Sequence, residues 1–544
     1  MAPEVAKALA LYRRQAWSEA YEAFGLADQA SPLTAQDLER LAECACLSGH
    51  EAGHLAALER AHRAHLDDGN AIRAARCAFW LGMFLLLGGE TGHATGWLAR
   101  AERLVARQER GCVEHGYLAL PAAEAHLAAG DAAQACAAAA AAANAGERFG
   151  DADLVACARH LQGRAQLRQP GGEAEGLRLL DEAMVAVTAG EVSPVMTGLI
   201  YCSVIDACWQ AFEFARASEW TFAMRRWCDR HPQMRAFRGA CLVHRAEIQQ
   251  LHGAWGAALD EARAACEPPA AESALQPPAA AFYRQGEVHR LRGEFAAAER
   301  AYQQASLAGH EPQPGLSLLR TAQGRVDEAL AAMRRVVGAA ADPQHRARLL
   351  PAHVNILLAA HELEEAEAAC RELESFAARF RRCVTDAMAA QARGALQLAR
   401  GDAWGAVRAL RRAWQEWERV PAPYGAARAR ELLGLACHAL GDDEGGRLER
   451  AAARAAFERL GAFPDVSRID ASSRDSGAHR PHGLTLRELD ILRLVAQGKT
   501  SKTIARELRL SVKTIDRHLS NIFTKLDVPS RAAAIAHAYR NKII

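Results

Sequence analysis

Small and apolar residues recur at fixed distances from turn-like positions along most of the chain. After Gly293 they stand at Phe295, Ala298, Tyr302 and Ala305, offsets 2, 5, 9 and 12. At the same offsets Gln15 is followed by Trp17, Ala20, Phe24 and Ala27, Gly253 by Trp255, Ala258, Ala262 and Ala265, and Gly324 by Val326, Ala329, Met333 and Val336. This spacing puts the residues on one helical face, and the small one at offset 5 lets a second helix approach closely. The turn-like positions themselves are Gly49, Gly89, Gly130, Gly171, Glu213, Gly253, Gly293, Gly324, His361, Gly401 and Gly441. Most intervals between them are 40 to 42 residues; the exceptions are 31 after Gly293 and 37 after Gly324. A regular period of this length means stacked supersecondary units, none able to bury its apolar face alone. Gly171 and Gly441 fit the offsets poorly. The short interval leaves only Leu316–Gln323 for a first helix, and a bend or subdomain boundary is expected there.

Over residues 5–460 this pattern resembles the tetratricopeptide repeat, in which glycine closes the first helix and an aromatic opens the second. The period departs from that family's unit of about 34 residues, so longer helices or loops must absorb the excess. The resemblance implies an all-α stack with an extended concave surface for a partner or signal. Proline-bearing breaks at Glu267–Pro278, Glu311–Gly315 and Val420–Tyr424 fall between repeats, where missing amide donors do little harm. Residues 461–482, rich in Ser, Gly, Pro and charge, read as a flexible linker.

Residues 483–544 change character. Four short helices are expected: one capped by Thr485 with Leu489, Ile491, Leu492 and Val495 inward, ended by Gly498; one capped by Thr500 with Ile504, Ala505 and Leu508 inward; a turn through Arg509 and Leu510; one capped by Ser511 with Ile515, Leu519 and Ile522 inward; and one from Arg531 to about Lys542. The third carries a second, polar stripe of Lys513, Asp516, Arg517, Ser520 and Asn521, at i, i+3, i+4, i+7 and i+8. A helix anchored on one side and bearing hydrogen-bonding groups on the other meets the requirement for reading base edges in the major groove. Thr500, Lys502, Ser511, Thr514 and Lys525 are placed to meet phosphates, whose contacts fix register without reading sequence.

This segment closely resembles the LuxR-type (GerE-type) helix-turn-helix domain. The matching residues are Leu484-Thr485, Arg487-Glu488, Gly498, Ile504-Ala505, Leu508, Ser511, Thr514-Ile515, His518, Asn521-Ile522, Lys525-Leu526, Val528 and Arg531. Three positions depart from the family: Asp516 stands where lysine is usual, Thr503 where glutamate would complete a capping box, and Asp527 where the last turn usually has glycine. The resemblance implies a bacterial transcription regulator that binds double-stranded DNA as a homodimer paired through Arg531–Lys542. Asp516 either accepts a hydrogen bond from a base or pairs with Lys513 on the helix surface.

Charge sharpens the division. The 544 residues carry a net +1, yet residues 481–544 hold 12 Lys and Arg against 5 Asp and Glu, a net +7, leaving −6 for the rest. Lys7 is the only lysine before Lys499. A basic tail on a mildly acidic body points to a polyanionic partner for the tail alone, with the repeats regulating. The fourteen cysteines lack a CxxC pair and read as core residues of a reduced protein, so neither disulfide frame nor zinc site is expected. His54, His62 and His65 suit an exposed helix face better than metal ligation. The aromatics between Tyr201 and Trp227 read as core rather than a ligand pocket. Gly498-Lys499-Thr500 imitates the end of a phosphate-binding loop, but Arg493 stands where its other glycine is needed, so no nucleotide cofactor is expected. The longest strongly apolar run, Cys77–Leu87, is too short to span a bilayer, and no Sec signal is read at Met1–Ala30. The reading is a cytoplasmic, nucleoid-associated, non-enzymatic regulator with no cofactor or metal. Its repeats receive a protein, peptide or small-molecule signal, and RNA polymerase is a further expected partner. The alternative is a repeat adaptor that assembles proteins, with DNA binding auxiliary.

Overall fold

The computed structural model describes residues 3–108, 111–267, 279–478, 484, 486–508, 511–541 and 543–544. Among them are 29 helices, numbered α1 to α29 in chain order, and no strand. The first 24 form twelve antiparallel hairpins, beginning with α1 (Pro3–Arg13) and α2 (Trp17–Ala30) and ending with α23 (Pro423–Ala439) and α24 (Asp443–Leu460).

One backbone device makes every hairpin. Between its two helices lies a left-handed residue: Gln15, Gly49, Gly89, Gly130, Gly171, Phe212, Gly253, Gly293, Gly324, His361, Gly401 or Gly441, with φ between 59° and 83°. Nine are glycine, which meets no Cβ penalty in that region. In each hairpin the second helix begins two residues later. Five residues after the turn, that helix buries Ala20, Ala94, Ala135, Gly176, Ala217, Ala258, Ala298, Ala329, Ala366, Ala406 or Gly446; only the second hairpin differs, burying His54 there. Gly171 and Gly441 therefore conform at the crossing, where glycine itself fills positions 176 and 446, although Glu173 and Asp443 replace the apolar residue at offset 2. A Cβ on Gly176 would lie 2.9 Å from the Gly163 carbonyl oxygen, and one on Gly446 2.8 Å from that of Gly434. The sixth turn is Phe212, one residue before the position inferred from spacing.

By contact the chain divides into two compact units. One comprises residues 1–290, 294–353 and 378–382; the other 291–293, 354–377 and 383–544. The division falls beyond α17 (Gly315–Ala322), the short helix where a boundary was expected. In the first unit the connection after α12 (Phe214–Arg230) turns back on early hairpins: Arg235 N–H donates to the Leu47 carbonyl at 2.8 Å, and His231 Nε2 lies 2.7 Å from Gln15 Oε1. Tyr201 and Phe212 are buried and Trp209, Trp220 and Trp227 pack against this unit's core, as expected of core aromatics, while Phe222 is exposed.

Two expectations are corrected. His54, His62 and His65 are all buried, not on an exposed face. One ring nitrogen of each meets a group on a neighbouring helix: His54 Nδ1 lies 2.8 Å from the Ala42 carbonyl, His62 Nδ1 2.8 Å from that of Ala74, and His65 Nε2 2.6 Å from Glu39 Oε1. Burial pushes His54 down to about 4, so it stays neutral. The flexible linker at 461–482 is replaced over most of its length by α25 (Phe463–Ala478). Several of its described polar residues meet the last hairpin. Arg468 Nε donates to Glu431 Oε1 at 2.8 Å, Arg454 Nε to Asp470 Oδ1 at 2.7 Å and Arg450 to the Ile469 carbonyl at 2.9 Å, while Ala462 and Ile469 are buried. Residues 479–482, and the break at 268–278, lie outside the described residues.

Replacing Gly176 by leucine should destabilise the array by about 1–3 kcal/mol, the cost of forcing volume into a close-packed contact. Gly256→Ala, at a helical glycine whose Cβ would meet nothing within 4 Å, should instead gain about 0.5–1 kcal/mol. Urea unfolding midpoints of the two variants should move in opposite directions.

Candidate nucleic-acid interface

The terminal residues have a core of their own. Leu484, Leu489, Ile491, Leu492, Val495, Ile504, Ala505, Ile515, Leu519, Ile522, Leu526, Ala534, Ala538 and Ile543 pack together, drawing on α26 (Leu486–Ala496), α27 (Ser501–Glu507), α28 (Val512–Leu526) and α29 (Arg531–Arg540). Leu508 is half-buried against it. The caps at α27 to α29 are local side-chain bonds: Thr500 Oγ1 accepts from Thr503 N–H at 3.2 Å, Ser511 Oγ from Thr514 N–H at 3.1 Å and Ser530 Oγ from Ala533 N–H at 3.2 Å. Thr503 and Thr514 also bring their hydroxyls against the cap oxygens, at 3.0 and 2.7 Å. The expected cap Thr485 and the turn at Arg509 and Leu510 lie outside the described residues.

Helix α28 is two-faced. It buries Ile515, His518, Leu519, Ile522 and Leu526, and it exposes Lys513, Asp516, Arg517, Ser520 and Asn521 together. All five proposed reading residues therefore share one solvent face. Ser520 Oγ donates to the Asp516 carbonyl at 3.1 Å, which leaves its oxygen free to accept. No ion pair joins Asp516 to Lys513 or Arg517 among the described residues, so the exposed carboxylate stands unneutralised on a positive face.

The lysines separate into two kinds. Lys499 pairs with Glu507 at 2.7 Å, and Lys525 with Glu488 at 2.7 Å. Glu488 is only 2% exposed, so Lys525 is the counter-charge of a buried carboxylate that fastens α28 to α26. With Asp443 also 3.7 Å away, its ammonium is less free than its sequence position suggests. Lys502 and Lys513 are exposed and outside every ion pair among the described residues, as phosphate contacts require. Thr500 sits at the start of α27, and Ser511 and Thr514 at that of α28, where first-turn N–H groups lack intrahelical partners.

Two further features fix the geometry of this segment. Arg531 donates to the Lys499 carbonyl, tying the start of α29 to the turn before α27. Asp527 closes α28 with φ 51° and ψ 51°, a left-handed cap. That is the geometry glycine supplies without strain, and the departure at 527 signalled it. On α29, Ala534 and Ala538 face the core, whereas Ala532, Ala536 and Tyr539 are exposed; Lys542 lies outside the described residues.

With this geometry in view, comparison with known proteins finds likenesses to the tail. Residues 482–538 match the family of bacterial regulatory proteins, luxR family. The chain is 43% identical over 79 residues to the transcriptional regulatory protein LiaR of Bacillus subtilis (strain 168), a match covering 14% of this chain and 36% of that protein. It is 39% identical over 61 residues to the response regulator protein VraR of Staphylococcus aureus (strain NCTC 8325 / PS 47), covering 11% and 29%. The chain thus spans about a third of the length of these relatives. Among solved structures it is similar to a chain of the APC/C hetero-tetramer Cut9–Hcn1, with TM-score 0.41, 13% identity and coverage of 88% of this chain and 92% of that one. It is also similar to yeast Tom70, with TM-score 0.32, 10% identity and coverage of 86% and 95%. Among the described residues, no helix is long and apolar enough to cross a membrane.

Asp527→Gly should relieve the left-handed cap and stabilise the terminal domain by up to about 1 kcal/mol. For a domain of this size that corresponds to a rise of roughly 4–8 °C in its melting transition, read by calorimetry.

Proposed function

We propose that this luxR-type helix-turn-helix domain, residues 483–544, binds specific DNA sequences to regulate transcription, while residues 5–460 receive the signal that governs it. The observation that supports the reading most is the exposed face of α28. Five groups able to bond base edges stand together on a helix whose opposite side is locked into a hydrophobic core. Arg517 suits the O6 and N7 of guanine, and Asn521 the N6 and N7 of adenine. Lys502, Lys513 and the capped starts of α27 and α28 are the phosphate contacts that set register, with Lys525 in a supporting role through Glu488. The domain acts as a dimer through the exposed side of α29, where Ala532 and Ala536 permit close approach and Tyr539 supplies apolar area. RNA polymerase is its partner in transcription, and the setting is cytoplasmic, at the nucleoid. No catalytic step belongs to this function.

Sequencing DNA fragments retained by the purified protein tests the reading. One enriched motif supports it; weak, sequence-indifferent retention would instead favour an adaptor whose main task is protein assembly. The proposed dimer adds a geometric expectation. Footprints should show two half-sites about one helical turn apart, roughly 10 base pairs, and a single half-site bound by a monomer contradicts the α29 pairing.

Asp516 gives the sharpest check, because the absence of a pair with Lys513 favours the base-reading role. In the groove its carboxylate accepts from cytosine N4. Asp516→Lys should strengthen non-specific binding and steepen the log K versus log salt slope by up to ~0.9. It should also relax discrimination at one base pair by about 1–3 kcal/mol. Binding selections on wild type and variant at matched salt read both effects, and identical preferences sink the base-reading role.

A further inference from the structure

Three side chains from three consecutive helices converge in the second and third hairpins. Glu39 lies on α3 (Ala35–Leu47), His65 on α4 (Glu51–Asp67) and Cys77 on α5 (Ala71–Leu87). Glu39 Oε1 is 2.6 Å from His65 Nε2 and 3.8 Å from Cys77 Sγ, and the three donor atoms all lie within 4.8 Å of one another. His65 and Cys77 are buried, at 6% and 2% exposure. Sulfur, imidazole and carboxylate are the donors zinc takes, at about 2.3, 2.0 and 2.0–2.2 Å respectively. The Oε1–Nε2 pair, hydrogen-bonded at 2.6 Å, is closer than two ligands at those bond lengths stand, so it must part for an ion to enter.

The surroundings are arranged as they are around such an ion. Arg73, one turn before Cys77, pairs with the other carboxylate oxygen of Glu39, so Oε2 is held by the guanidinium while Oε1 faces the thiol and the imidazole. That is the orienting role an outer partner plays at a metal centre. Glu39 and Cys77 also line a cavity of about 460 Å³ with Arg40, Glu43 and Tyr117, which leaves space for a fourth ligand.

We propose that Glu39 Oε1, His65 Nε2 and Cys77 Sγ form a site for a thiophilic divalent cation, zinc by its donor set, with the fourth position opening into that cavity. On binding, the Cys77 thiol releases its proton to solvent. The proton that His65 Nε2 shares with Glu39 moves to Nδ1, freeing the nitrogen lone pair. The ion then ties α3, α4 and α5 together across two neighbouring hairpins. The site is independent of the DNA-binding reading.

Full-length reduced protein, stripped with chelator, tests this with zinc chloride and cobalt chloride as probes. One equivalent of zinc should be withdrawn from a chromophoric chelator, and it should raise the melting transition. Cobalt should give a thiolate-to-metal charge-transfer band. Cys77→Ser should abolish that band and weaken zinc binding by more than the ~10–100-fold typical of losing an outer partner. Cys46→Ser, at a buried cysteine outside the cluster, should leave both unchanged. Should Cys77→Ser fail to fold, His65→Gln retains a donor to Glu39 and must still lose the ion. Absence of stoichiometric binding by wild type, absence of the charge-transfer band, or its survival in either ligand variant overturns the site and leaves an Arg73–Glu39–His65 hydrogen-bonded network.

Discussion

The close crossing of two helices at a small residue, five positions beyond a left-handed turn, is the constraint on which the array depends. At that crossing the backbones are near enough that a single methylene has nowhere to go, as the contact between Gly176 and the Gly163 carbonyl shows. The turn and the crossing act together. The left-handed residue aims the second helix back along the first, and the small residue lets it settle there. The second hairpin solves the same problem differently: His54 occupies the crossing and converts the close approach into a hydrogen bond with Ala42.

Much of this was legible because it is periodic. The all-helical class, eleven of the twelve turn positions and the terminal four helices follow from turn residues and apolar spacing, which report local physics directly. What escaped has nonlocal causes. The helix Phe463–Ala478 has a linker's composition, but Arg450 and Arg454 on the preceding helix absorb its polar groups, and a sequence pattern cannot display that pairing. His54, His62 and His65 read as surface residues because their acceptors lie on neighbouring helices. Gly171 and Gly441 looked irregular partly because glycine at the crossing was not counted with alanine, and partly because Glu173 and Asp443 open their second helices.

That Lys513, Asp516, Arg517, Ser520 and Asn521 share an exposed side was legible, since amphipathicity on one helix fixes which side chains face together. Lys525 was not. Its role turns on Glu488, 37 residues earlier, and a positive charge near a helix end looks the same whether it meets a phosphate or a buried carboxylate. Cys77 is illegible in the same sense: its neighbours Glu39 and His65 come from separate helices, so no spacing motif announces them.

The two cross-ties of the terminal domain, Lys525 to Glu488 and Arg531 to the Lys499 carbonyl, have a thermodynamic consequence. They join the helices into one block before any ligand arrives, so little backbone entropy remains to be lost on binding. The ordering cost falls instead on side chains, about 0.5–1.5 kcal/mol for each long, freely rotating one that is immobilised. On α28 that burden rests on Lys513 and Arg517, whereas Asp516, Ser520 and Asn521 are short and forfeit little. In the proposed recognition, the short residues of this face would discriminate at low entropic cost, while the long cations would supply attraction at the expense of lost motion.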